Sequence, residues 1–187
     1  WLCLTIAKAV RYNTTKIFIM FMILAFVLSM FIDSITVILF LAAITITQSK
    51  LLQFDPIPVI IAEIFCSNLG GSSTMCGDPP NIIIGTALHY TFTDFLTNTG
   101  VIAIICLVLM IFFFYMCFRK KLGKRNLSEE EIEKMPTPQR AITNKRAFII
   151  STVIFLCAVI LLVTHGQTGL TVSTIGIIAA VATCITA

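Results

Sequence analysis

The sequence predicts an all-α polytopic membrane protein organised around a re-entrant hairpin and a discontinuous helix. Two compositional observations set the class. The 187 residues are 58% hydrophobic, with a mean hydropathy of +1.00. Charged residues are only 12%, about half the share in a soluble domain. The third observation is the stretch Ser67–Asn81, SNLGGSSTMCGDPPN. It lies inside an apolar region yet holds Gly70, Gly71, Gly77, Asp78, Pro79 and Pro80. A helix must break before the paired prolines, which lack amide donors and clash with a preceding turn. In lipid, broken backbone is tolerated only where protein buries it or a cavity adjoins it.

The first segment, Leu2 to Lys16, carries Lys8, Arg11 and Lys16 between apolar residues and reads as the end of a preceding segment plus an interfacial turn. The chain starts at Trp1 and stops at Ala187 within an apolar run, so it reads as an internal piece of a longer membrane protein.

Ile17–Thr47 follows, about 31 nearly all-apolar residues. As one helix it would span roughly 46 Å, more than the roughly 30 Å hydrocarbon core. Two full crossings would need about 40 residues. Its polar midpoint is Asp33-Ser34-Ile35-Thr36. The expectation is a re-entrant hairpin over 17–47, with arms Ile17–Ile32 and Ile35–Thr47 and a tip at Asp33 and Ser34. A single tilted helix is the competing reading.

Gln48–Pro58 reads as a loop. Residues 57–88 form the broken helix: a half-helix from Ile57 to about Asn68 containing Glu63, the break, and a second half-helix from Asn81 to Leu88. Asp78 is the expected N-cap, with Pro79 at the first helical position. The glycines are expected to supply unusual backbone conformations or close approach. His89–Gly100 reads as a polar connector and Val101–Phe118 as a span. Residues 119–146 form a charged loop. In it, Ser128-Glu129-Glu130-Glu131 is a capping box before a short helix that ends by Met135. Ala147–Thr164 spans again, His165–Gly169 is a tight turn, and 170–187 begins the next span.

This order places all thirteen Lys and Arg on one face, which the positive-inside rule makes cytoplasmic. Two crossings in place of the hairpin keep the same sides. The basic run Arg119, Lys120, Lys121, Lys124, Arg125 is therefore a topology signal; it abuts a membrane helix, so no nucleic-acid partner is expected. The sequons at Asn13 and Asn126 fall on the same face and read as chance matches. The seven cysteines read as small apolar residues of the spans, with no metal-ligand spacing.

Three acids lie at membrane depth: Asp33, Glu63 and Asp78. Such groups are costly in lipid and mark cavities or partners. No Lys or Arg is expected at that depth, which leaves a bound cation or a proton to neutralise them. For Asp33 and Asp78 plain helix capping is the simpler reading, compatible with ion binding. For Glu63 contact with a neighbouring helix is equally open.

Ser67-Asn68-Leu69-Gly70-Gly71, followed by Gly77-Asp78-Pro79-Pro80-Asn81, resembles the signature of the ion transporter superfamily. That group includes NhaD-type sodium/proton antiporters, arsenite permeases, citrate-transporter-like proteins, the melanosomal P protein and the divalent anion:sodium symporters. Ser29–Thr36 resembles the matching hairpin tip. The resemblance implies an inverted-repeat transporter, commonly a homodimer in the lipid bilayer, with one repeat and the start of the second in this chain. It implies an ion or small-anion site at Asp33, Ser34, Thr36, Asn68, Gly77, Asp78 and Asn81. No cofactor is implied beyond Na+ or H+ as coupling ion. The sodium/proton type usually carries Asp-Asn at the tip, where this chain has Asp33-Ser34. The carboxylate symporters usually carry Ser-Asn-Thr at the tip and a neutral residue after the second glycine; here Asp33-Ser34 and Asp78 stand there.

The expected function is secondary active ion transport, as Na+/H+ antiport or a related proton-coupled exchange, with no enzymatic activity. A citrate or arsenite permease is the alternative within that class. An intramembrane aspartyl protease would also need two membrane aspartates. Those enzymes carry Gly-x-Gly-Asp, whereas this chain reads Met75-Cys76-Gly77-Asp78.

Overall fold

The computed structural model describes residues 2–120 and 144–186. The chain is an all-α polytopic membrane protein. Its elements are α1 (Leu2–Ala9), α2 (Thr14–Ser29), α3 (Ser34–Leu52), α4 (Pro56–Gly71), α5 (Pro79–Ala87), α6 (Phe92–Phe95), a π-helical turn (Leu96–Gly100), α7 (Val101–Phe118), α8 (Lys145–Thr168) and α9 (Val172–Thr186). By length and composition Ser34–Leu52, Phe92–Phe118 and Lys145–Thr168 can cross a membrane.

Short polar residues set the helix starts. Asn13, Asp33 and Asp55 accept from the backbone amides of Lys16, Thr36 and Ile57 at 3.1 Å each. Asn144 does the same for α8, accepting from the amides of Arg146 and Ala147. Each such cap satisfies an amide that has no intrahelical partner. Pro56 and Pro79 occupy first-turn positions, where the missing amide costs nothing.

The core is built on α2, which packs chiefly against α4, while α4 also packs against α3. Ile17, Phe18, Phe21, Met22 and Ala25 are essentially inaccessible. A helix apolar on every side belongs inside a bundle. Close approach of α2 and α4 depends on Gly70, where a Cβ would collide with the Phe26 carbonyl of α2. By contrast, Ile102, Ile105, Val108 and Phe112 of α7 stay exposed, as does most of α8. Those faces are left for lipid or further protein to cover.

Several boundaries differ from the sequence expectation. The chain breaks between Ser29 and Ser34, so no single helix runs through Asp33. α3 continues through Gln48–Leu52, which the sequence reading gave to a loop. Gln48, Ser49 and Leu52 are buried, and the helix stops only at Gln53, which takes a left-handed conformation with φ 54°. The second arm is therefore 19 residues, roughly 28 Å, close to the thickness of a hydrocarbon core. Residues 92–100 are helical and run into α7 without a break, instead of forming a polar connector. Thr91 and Asp94 cap that start reciprocally. α8 extends to Thr168, so the expected turn at 165–169 moves to residues 169–171, where Gly169 ends the helix at φ 70°. The capping box at Ser128–Glu131 and the helix ending by Met135 lie outside the described residues.

Of the cysteines, Cys3 and Cys66 are buried, whereas Cys117, Cys157 and Cys184 are exposed on apolar helices. The α5–α6 connector and the end of α8 meet: a Cβ on Gly166 would lie 2.9 Å from the Thr91 methyl.

Candidate functional site

The turn between α2 and α3 and the break between α4 and α5 are pressed together into one clamp. Its centre is a run of hydroxyls. Ser67 of α4 donates to the Ser34 carbonyl at 3.0 Å and pairs with the Ser29 hydroxyl at 3.0 Å. Ser34 in turn donates to Asp78 Oδ1 at 2.9 Å. Thr74, inside the break, donates to the Met30 carbonyl at 2.5 Å and accepts from the Gly77 amide at 3.2 Å. Every one of these bonds except the last joins segments more than thirty residues apart, and Ser29, Ser34, Ser67 and Thr74 are buried.

Asn81 closes the break on itself. Its side-chain amide donates to the carbonyls of Gly71 and Thr74 at 3.2 and 2.9 Å. Those carbonyls belong to the unwound turn, where they have no helical donor. A Cβ on Gly71 would stand 2.6 Å from both Asp78 carboxylate oxygens, so the carboxylate lies directly over that glycine. A Cβ on Gly77 would strike the Gly71 carbonyl and come within 2.7 Å of the Ser29 carbonyl. Only Gly169 among the described glycines has positive φ. The glycines of the break therefore serve close backbone approach, not an unusual dihedral, which corrects one half of the sequence expectation.

The two aspartates behave differently. Asp33 Oδ2 accepts from the Thr36 amide at 3.1 Å and its hydroxyl at 3.4 Å, as a capping residue does. Asp78 occupies the N-cap position of α5 but makes no capping hydrogen bond. Its carboxylate turns toward Ser34 instead. The α5 terminus is also poor in donors: Pro79 and Pro80 have none, and the Asn81 amide is bonded to the Asp78 carbonyl at 3.0 Å.

Of the residues singled out from the sequence, Ser34, Gly77, Asp78 and Asn81 are brought together, with Asp33 one residue from Ser34. Thr36 is exposed and touches the clamp only through Asp33. Asn68 is exposed, and its side chain makes no hydrogen bond to the others. Sequence reasoning passed over Ser29, Ser67 and Thr74 as site residues. Their signal was present: small hydroxyl residues at membrane depth, immediately beside the two interruptions. Among the described residues no three His, Cys, Asp or Glu side chains converge. A cation held here would rely on a carboxylate with hydroxyl and carbonyl oxygens, the hard donors that Na+ accepts.

A cavity of about 780 Å³ lies at one end of the site, lined by Asn81, His89, Tyr90, Asp94, Asn98 and Thr99 among others. The π-helical turn forms its wall. Thr99 reaches from that turn to the Ser73 carbonyl at 3.4 Å, so the cavity wall and the break are physically joined.

Residues 1–187 match the family profile described as citrate transporter. The chain is 39% identical over 112 residues to the human P protein, covering 57% of this chain and 13% of that protein. It is 34% identical over 117 residues to the magnetosome protein MamN of Paramagnetospirillum magneticum, covering 63% of this chain and 26% of the relative. It is 32% identical over 105 residues to an uncharacterized transporter of Mycobacterium bovis, covering 56% and 24%. The matched region thus spans about a quarter or less of each relative's own length. No solved structure matches the chain.

Proposed function

The chain belongs to the citrate transporter family, and from that premise we propose that it carries the ion clamp of a secondary active transporter that exchanges Na+ or a related cation for protons. One observation supports this reading above the rest: Asp78 holds its carboxylate free of capping and against the Ser34 hydroxyl at 2.9 Å. A carboxylate can hold a proton or help hold a cation, but not both at once, and that exclusivity is what exchange requires. Asp33, one residue from Ser34, is the second carboxylate of the pair. Binding an anion directly at α5 would need free amides at the helix start. Two prolines and an occupied Asn81 amide remove them.

The second reading is transport of a carboxylate such as citrate. The family description favours it, and so does the cavity beside Asn81. At about 780 Å³ it falls in the size range of small-molecule sites and exceeds what a bare ion needs. In either reading the protein works as a homodimer in the bilayer, with the basic segments on the cytoplasmic side.

The deciding experiment is flux in proteoliposomes containing the full-length protein, comparing Na+, Li+, citrate and arsenite under an imposed pH gradient. Cation-dependent proton movement without added anion is the expected result. Citrate or arsenite flux, with no proton movement driven by Na+ or Li+ alone, would replace the first reading by the second.

A further inference from the structure

Between α3 and α4, one turn from Ser67, lies a second polar group that the clamp does not use. Glu63 has no exposed surface. Its Oε1 accepts from the Thr45 hydroxyl at 2.6 Å, and its Oε2 has no partner. Gln48 is 3% exposed, and neither its amide nitrogen nor its amide oxygen is paired. Thr45 and Gln48 are three residues apart on α3 and share a face. Buried polar atoms are nearly always hydrogen-bonded, so the unpaired Glu63 oxygen calls for a ligand or a proton.

The charges around Glu63 do not neutralise it. Cys66, three residues further along α4, is a buried thiol and no counter-charge. On the helices packed against α4, the cations Lys16 of α2 and Lys50 of α3, and Arg119 at the end of α7, are exposed. Asp55, the cap of α4, is exposed two turns away. An ionised Glu63 would be a fully buried charge with no cation beside it among the described residues. A proton on Oε2 removes that charge, while Oε1 keeps the Thr45 hydroxyl.

We propose that Glu63, Thr45 and Gln48 form a buried proton-binding site, separate from the Asp33/Asp78 clamp, in which Glu63 carries the proton in this conformation. Ser67, one turn further along α4, holds both Ser29 and Ser34. Release of the proton would leave a bare charge between α3 and α4 directly beside the clamp, so the site couples protonation to the packing of the two helices that form it.

The test is infrared difference spectroscopy of the full-length protein in lipid at neutral pH. Wild type should show the carbonyl stretch of a protonated carboxyl that shifts on deuteration. Glu63→Gln should lose it. Gln48→Leu and Thr45→Val, which keep Glu63, should each shift it, and they stand in if Glu63→Gln does not fold. Asp78→Asn should leave it in place, which separates this site from the exchange reading. An unchanged protonated-carboxyl band in folded Glu63→Gln would overturn the proposal. So would a band insensitive to both Gln48→Leu and Thr45→Val, or one abolished by Na+, which would mark a cation site.

Discussion

Ser34 donates to Asp78 across 2.9 Å, and this single bond ties the start of α3 to the start of α5, 44 residues later. Both residues stand where a chain has just been interrupted in an apolar region. Each interruption leaves backbone groups that lipid cannot satisfy. Pressed together, the two interruptions satisfy one another and leave a carboxylate at their junction.

Asp78→Asn should abolish proton-coupled flux, because an amide cannot alternate between a proton and a cation. Asp33→Asn should keep ion binding but weaken coupling, since the amide oxygen can still cap α3. The measurement is Na+-induced proton release on either side of neutral pH, wild type against each variant. Wild-type coupling in both variants would leave the anion-permease reading in front.

Replacing Gly77 by Val, or even by Ala, should eliminate transport. The added Cβ meets the carbonyls of Gly71 and Ser29, both backbone atoms that cannot swing aside. The matching control is Gly176→Ala, where nothing lies within 4 Å; flux and yield should stay near wild type. Equal behaviour of the two variants would contradict the close approach described for the break.

Ser67→Ala removes a hydroxyl that serves two buried partners, the Ser34 carbonyl and the Ser29 hydroxyl. Leaving such groups unsatisfied costs about 1–3 kcal/mol each. Thermal unfolding in detergent should show a lower midpoint for Ser67→Ala. Ser29→Ala and Ser67→Ala should be non-additive in a double-mutant cycle, as expected of contacting residues. Strict additivity would argue that the two hydroxyls are not coupled.

Single-cysteine labelling on a cysteine-free background should find positions 16, 50 and 124 accessible from the cytoplasmic side and positions 91 and 167 from the other. Lys50 is the proper probe at the end of α3, because its neighbour Ser49 is 5% exposed. Thr91 and the end of α8 touch, so positions 91 and 167 must label from one side together. Labelling of 16 and 50 from opposite sides would mean that α2 and α3 together make a single crossing.

Composition and punctuation determined the class and the sites of interruption. An apolar chain with little charge can only be a membrane protein, and Pro79-Pro80 after Gly77-Asp78 can only break a helix. These are local facts of backbone chemistry, legible without a fold. Helix ends were less legible where packing overrides polarity. Gln48 and Ser49 look like loop residues, yet they continue α3 because they are buried in it. Residues 92–100 look like a polar connector, yet they extend α7. The tertiary structure alone decided what the polar residues do. Asp33 and Asp78 have the same sequence context, an acid before a half-helix. One caps its helix; the other turns to Ser34, because Pro79 and Pro80 offer no amides to cap and the stacked interruptions bring a hydroxyl from a distant segment to 2.9 Å. Asn68, within the motif, is exposed, while Ser67 beside it is buried and binds both partners, because successive helical residues face different directions. Which neighbour lies on the buried side is set by how α2, α3 and α4 pack, and no local pattern records it.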